Sequence, residues 1–177
     1  MQSELASSIP VIGTAFKMMK GLDDWRTRIF QAKLESFLTA PGMQAPSVVT
    51  EWKRKMESSP DEANQIGETL FLVVDKVIDT RKPPIFAKVF IAHLDGKLSG
   101  VDLLRVVAAI DSAFIEDLEQ LASAKKPATA TLQNLMNTGL VEINYTALFG
   151  GFNSMDFRLN HWGSLLKRIL STESANT

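Results

Sequence analysis

The sequence predicts a mainly α-helical fold, a multi-helix domain that closes with a C-terminal β-hairpin. Three observations carry this expectation. Apolar residues recur at spacings of three and four along most of the chain, Ser, Pro and Gly stand where helix starts and ends need them, and one stretch after residue 140 alternates apolar and polar with a period of two. With 177 residues, 45% of them hydrophobic and 22% charged, the chain has the composition of a folded protein and can bury roughly 70% of its unfolded surface.

Ser8 and Pro10 start a first short helix, with Ile9, Ile12, Phe16 and Met19 on one side and Gly21 at its end. Leu22, Trp25, Ile29, Leu34, Phe37 and Leu38 then form the inner face of a longer helix, opposite Asp24, Arg28 and Glu35, which Ala40-Pro41-Gly42 stops. Ser47 caps a helix that turns Val48, Val49, Trp52 and Met56 inward and Lys53, Arg54 and Lys55 outward. Ser59-Pro60-Asp61-Glu62 is the clearest local signal, because it combines an N-cap hydroxyl, Pro at the first helical position and Glu three residues after the cap. The helix that follows buries Ala63, Ile66, Leu70, Val73, Val74 and Val77 and ends near Thr80, ahead of Pro83-Pro84.

Ile85, Phe86, Val89, Phe90 and Leu94 have the spacing of a buried helix, with Gly96 as its left-handed terminator. Ser99 and Asp102 open the longest helix, about Gly100 to Ala124, with Leu103, Leu104, Val107, Ile110, Phe114, Leu118 and Leu121 inward. After Lys125-Lys126-Pro127 come a short helix from Thr129 to Asn137, Gly139, and a strand in which Val141, Ile143 and Tyr145 alternate with Glu142, Asn144 and Thr146. Gly150-Gly151 and Asn153-Ser154 provide the turn before a second strand carrying Phe157 and Leu159. Asn160 caps a final helix, Trp162 to Leu170, with Leu165, Leu166 and Ile169 inward. The expected organisation is a helical domain over 1–126, a helix-hairpin-helix module over 127–170 packed on it, and a disordered tail over 171–177.

Several chemistries are removed by composition. The chain has no Cys and two His, so thiol nucleophiles, Cys-based zinc sites and His-rich metal sites are excluded. Its formal net charge of −1 argues against a polybasic nucleic-acid binder. That charge is uneven: residues 1–58 hold eight basic and six acidic groups, 59–126 eight and eleven, and 127–177 three and three. The N-terminal stretch lacks the basic lead and cleavage pattern of a secretory signal, and no stretch approaches the 20 or so apolar residues of a membrane span. A cytoplasmic protein is expected.

The segments Leu132-Gln-Asn-Leu135-Met-Asn-Thr-Gly139-Leu140-Val141 and Phe157-Arg158-Leu159-Asn160-His-Trp-Gly163-Ser-Leu165-Leu166 resemble the end of a winged-helix domain. In that family a recognition helix ends in Gly-Leu, a β-hairpin wing follows, and the second wing strand enters a capped helix; Asn160 stands where the family has Thr. The resemblance implies DNA contacts from Thr131, Gln133, Asn134 and Asn137, with Arg158 on the wing. Yet the helix carries no Lys or Arg, and the tip Phe149-Gly150-Gly151-Phe152 is apolar, which is a composition suited to protein contact. The middle, Gly67-Glu68-Thr69-Leu70 through Asp95-Gly96-Lys97-Leu98-Ser99, is weakly similar to tellurite-resistance-B-like helical domains. As an EF-hand the same turn fails, because Lys97 and Val106 stand where oxygen ligands are required.

Asp75 and Asp79, at i and i+4, have the spacing of a carboxylate pair but the neighbours of a solvated acidic face. His93 lies among Phe86, Val89, Phe90 and Leu94, and His161 beside the cap Asn160; neither belongs to a nucleophile motif. No catalytic, metal or cofactor site is expected, and the chain reads as a non-enzymatic interaction or regulatory module. The partner-binding candidates are Ile9, Ile12, Phe16 and Met19 of the basic N-terminal helix and Phe149 and Phe152 of the hairpin tip. From Ile9 to Lys33 five basic residues accompany this apolar face, so it packs on the protein's own core, docks in a partner or a second copy, or lies on an anionic membrane. A DNA-binding regulator is the alternative function, and a peripheral membrane protein a further one.

Overall fold

Helix and turn signals in the sequence become eight α-helices and one two-stranded hairpin in the computed structural model, which describes residues 25–76, 79–147 and 153–171. The fold is mainly helical, with a small antiparallel hairpin toward the C-terminus. The chain divides into two compact units, Met1–Ser99 and Gly100–Thr177. This division falls at Gly100, ahead of residue 126. The two helices that follow Gly100 pack on C-terminal elements far along the chain, a choice that local periodicity does not encode.

In the first unit, α1 (Trp25–Leu38), α2 (Pro46–Ser58), α3 (Pro60–Lys76) and α4 (Pro83–Leu94) surround one core. Trp52 is fully buried, its ring 4.9 Å from that of Phe90, which in turn meets Phe37 edge-on at 5.8 Å. Such aromatic pairs add about 1 kcal/mol each beyond their buried area. The inner face of α1 is Phe30, Lys33, Leu34, Phe37 and Leu38. Trp25, expected inside, is 64% exposed and Ile29 is also exposed, because the stripe that faces α3 and α4 is centred about 150° round the helix from Trp25.

Helix starts follow proline more closely than hydroxyl caps. α2 begins at Pro46 with Ala45 as N-cap and no side-chain cap, in place of the expected Ser47; the fixed φ of Pro suits the first turn. At α3 the expected cap is present, with the Asp61 amide donating to Ser59 Oγ at 3.2 Å. That helix is over before Asp79, whose carboxylate accepts from the Arg81 amide at 2.9 Å and so replaces a last helical turn with an Asx turn leading into Pro83. At the end of α4, Gly96 takes φ +74 and donates to the His93 carbonyl at 3.0 Å, while Lys97 donates to that of Ala92 at 2.9 Å. These two bonds form the left-handed terminator expected of this glycine.

In the second unit the single long helix is two, α5 (Gly100–Ser112) and α6 (Ile115–Ser123). Ser112 Oγ bonds back to the carbonyls of Ala108 and Ala109 at 3.1 Å, and Phe114 takes an extended conformation as N-cap of α6, 74% exposed. Glu116 and Asp117 in the first turn of α6 favour this fresh start, since carboxylates stabilise helix N-termini. Phe114 therefore leaves the expected inner stripe, and Leu104, in α5 ahead of the break, is exposed beside the buried Leu103. Next come α7 (Thr129–Asn134), shorter than expected, a 3-10 turn Met136–Thr138, β1 (Val141–Ala147), β2 (Asn153–Leu159) and α8 (His161–Ser171). Asn153 and Ser154, expected in the turn, pair with Ala147 and Thr146 in the ladder. Leu165, Leu166 and Leu170 are the buried face of α8, with Ile169 half-buried. The helix includes Ser171, whose hydroxyl donates to the Ala122 carbonyl at 2.9 Å.

Candidate functional site

The surface with the most defined construction is the helix-hairpin-helix of the second unit. Its base is a junction of four residues. Gly139, at φ +80, ends the 3-10 turn. Asn160 then acts in two directions: its Oδ1 accepts from the Gly163 amide at 3.0 Å, capping α8, and its Nδ2 donates to the Gly139 carbonyl at 2.7 Å. The Asn160 amide donates to the Leu140 carbonyl at 3.0 Å. One side chain thus ties the strand's entry to the hairpin's exit.

From this base the hairpin runs outward with the register Val141↔Leu159, Ile143↔Phe157 and Tyr145↔Met155 on one face. Burial falls along it: Val141 is buried and Leu159, Ile143 and Phe157 are half-buried, while Tyr145 is 64% and Met155 55% exposed. The other face carries Glu142, Asn144, Asp156 and Arg158, with Arg158 Nε donating to Glu142 Oε1 at 2.7 Å. The strand period places Tyr145 on the apolar face, but only the depth of packing reveals that it stands outside, so Tyr145 and Met155 escaped the sequence reading. Phe149 and Phe152 lie outside the described residues, as do Ile9, Ile12, Phe16 and Met19.

The helix nominated for base reading has less to offer than its sequence suggests. Thr131 is 2% exposed, and its hydroxyl donates to Gln120 Oε1 at 2.6 Å. Asn134, though exposed, donates from Nδ2 to the buried Asp117 carboxylate at 3.0 Å. Gln133 and Asn137 are exposed. Of the nearby cations, Arg158 pairs with Glu142, and Lys167 Nζ donates to the carbonyls of Leu121, at 3.1 Å, and Ala124 at the end of α6. A cation there complements the negative end of a helix. Lys125 and Lys126 are exposed.

The remaining candidates have structural explanations. His93 Nδ1 lies 2.8 Å from the Leu98 carbonyl, holding the loop after Gly96, and His161 is exposed with its ring edge-on to Trp162. Trp162 Nε1 donates to Asp102 at 3.0 Å and the Arg105 guanidinium lies 4.6 Å from its ring centre, which fastens α8 to α5. Asp79 is engaged by the Arg81 guanidinium at 2.8 Å, which holds its carboxyl below the usual range. Among the described residues no group of three or more His, Asp or Glu is placed to hold a metal ion, and no helix is long and apolar enough to cross a membrane. No family model, curated protein or solved structure matches the chain.

Proposed function

We propose that the protein is a non-enzymatic interaction module whose second unit is a winged helix used for protein contact. The observation that carries this reading is the apolar cross-strand face, which leaves the body of the unit at Val141 and Leu159 and reaches solvent at Tyr145 and Met155. An aromatic side chain and a Met paired across an exposed stretch of ribbon are well suited to protein contact, since both bury area while adapting to the partner's shape. The winged-helix reading is supported by the order α5, α6, α7, hairpin, α8 and by the junction of Gly139, Leu140, Asn160 and Gly163.

A DNA-binding regulator is the weaker reading, because Thr131 and Asn134 are held by Gln120 and Asp117, and Arg158 and Lys167 are engaged within the fold. Affinity capture from the native host, comparing the natural chain with Tyr145→Ser/Met155→Thr, is expected to lose its specific partner in the variant. Retention of the same proteins by the variant overturns the reading. Binding to duplex DNA at low salt that is lost on Gln133→Ala/Asn137→Ala would establish the regulator in its place.

A further inference from the structure

The backbone of the hairpin has an open side. In an antiparallel ladder, residue pairs that exchange both N–H···O bonds alternate with pairs whose backbone groups point away from the partner strand. The Asn160 amide donates to the Leu140 carbonyl at 3.0 Å, and the register continues from there as Val141↔Leu159 and Glu142↔Arg158. Leu140 and Asn160 are therefore a bonded pair, and by alternation so are Glu142↔Arg158 and Asn144↔Asp156. Val141, Ile143 and Tyr145 turn their N–H and C=O groups outward. Among the described residues, no backbone hydrogen bond reaches those groups from outside the hairpin.

Open edges are normally blocked by charges, proline or a bulge. β1, Val-Glu-Ile-Asn-Tyr-Thr-Ala, has a single charge and no Pro, and its register with β2 runs without a bulge. That charge, Glu142, is engaged by Arg158. α7 packs against β2, while β1 meets its partner strand and the 3-10 turn that leads into it. We infer that β1 pairs antiparallel with β1 of a second copy, joining two hairpins into one continuous sheet. For the outward groups to meet along the full 7 residues of the strand, the register must be centred on Asn144. Ile143 then stands beside the partner's Tyr145, a β-branched and aromatic pair of the kind that stabilises sheets. Glu142 falls opposite the partner's Thr146, so no like charges meet. Asn144 meets its own copy on the two-fold, in the unbonded type of pair where side chains come closest. An amide both donates and accepts, so this residue is complementary to itself, and it is the feature that selects a second copy as the occupant. The contact is isologous. Because the two-fold stands perpendicular to the sheet, Tyr145 and Met155 of both copies lie on one face. Pairing thus doubles the surface assigned above to protein contact, and rests on that assignment only for its role.

Light scattering and sedimentation of the full chain test it. The mass is expected to rise with concentration from the 19.5 kDa of the monomer toward twice that value. Asn144→Lys sets two ammonium groups against each other on the two-fold, yet within one hairpin the new Lys faces Asp156. The variant is therefore expected to keep its fold and to dimerise about tenfold more weakly. Amide hydrogen exchange followed by NMR gives a second readout on the natural chain. Glu142 and Asn144 are expected to be protected at every concentration, and Ile143 and Tyr145 to gain protection only as the mass rises. Dimers indifferent to Asn144→Lys overturn the pairing, as do dimers in which the Ile143 and Tyr145 amides still exchange freely. A chain that stays monomeric while keeping its captured partner overturns the pairing alone and leaves the contact reading standing.

Discussion

The carbonyl of Leu140 lies directly against the α-carbon of Gly163, so close that a side chain at 163 would place its Cβ 2.1 Å from the Leu140 oxygen. Residues more than twenty positions apart are thus brought to backbone contact at the root of the hairpin. Asn160 closes the same junction, bonding to the carbonyl before Leu140 and to the amide of Gly163. The orientation of the ribbon that presents Tyr145 and Met155 depends on this contact.

Gly163→Ala is expected to destabilise the second unit by about 2 kcal/mol, although Ala is by about 1 kcal/mol the better helix former. The obstruction is backbone, which cannot turn aside as a side chain would. Gly100→Ala, where nothing stands within 4 Å of the new Cβ, is the control and is expected to be neutral or stabilising. Urea unfolding of both variants measures the contrast, and equal midpoints would show that the junction yields.

Asn160→Ala removes the cap of α8 and the bond to Gly139 together, with an expected cost of about 1–2 kcal/mol. Asn160→Thr keeps an oxygen for the Gly163 amide but has no amide to offer Gly139. It is expected to fall between Asn and Ala in thermal denaturation. A Thr variant no better than Ala would mean that the cap contributes little and the bond to Gly139 dominates.

Phe114 occupies an N-cap position with no side-chain cap and is largely exposed. Phe114→Ser gives the α6 amides an acceptor and removes an apolar ring from water, so it is expected to raise stability by about 0.5–1 kcal/mol. Destabilisation on this change would show that the ring is covered by a contact of its own, and analytical sizing of the variant would show whether that contact is between molecules.

Asp79 titrates below the usual carboxyl range because of its hydrogen bonds from Arg81, first from the side chain and then from the backbone. A group whose folded pKa lies below its unfolded value, near 3.9, stabilises the fold fully above that unfolded value and loses the contribution as pH falls through the lowered one. Arg81→Ala is expected to move the Asp79 midpoint up toward the ordinary value, measured by NMR of the carboxyl carbons. It should also flatten the acid limb of the stability curve slightly, as suits an exposed pair. An unmoved midpoint would remove Arg81 as the cause.

Local signals made much of the architecture legible. Ser59-Pro60, Gly96 and Asn160 act where their capping chemistry places them, and the period-two stretch after Gly139 is a strand. The signals failed where two local preferences competed. Apolar spacing ran unbroken from Leu103 to Leu121, yet the chain restarts at Phe114 because the Ser112 hydroxyl and the acidic residues after it favour a new helix end and start. The candidate surface was half legible. Its polar helix could be named, but the removal of Thr131 by Gln120 could not, because the partner lies on another helix.

The sequence by itself determined the mainly helical class, the order of helices and hairpin, and the chemistries closed to a chain with no Cys and two His. Those properties follow from residue identity and from spacings within a turn or a strand. Only the tertiary structure decided that Trp25 and Tyr145 face outward, that Lys167 serves a helix end, and that the backbone at Leu140 requires glycine at 163. Each depends on what approaches from elsewhere in the chain. Burial and hydrogen-bond satisfaction belong to pairs of distant residues, while periodicity records only neighbours.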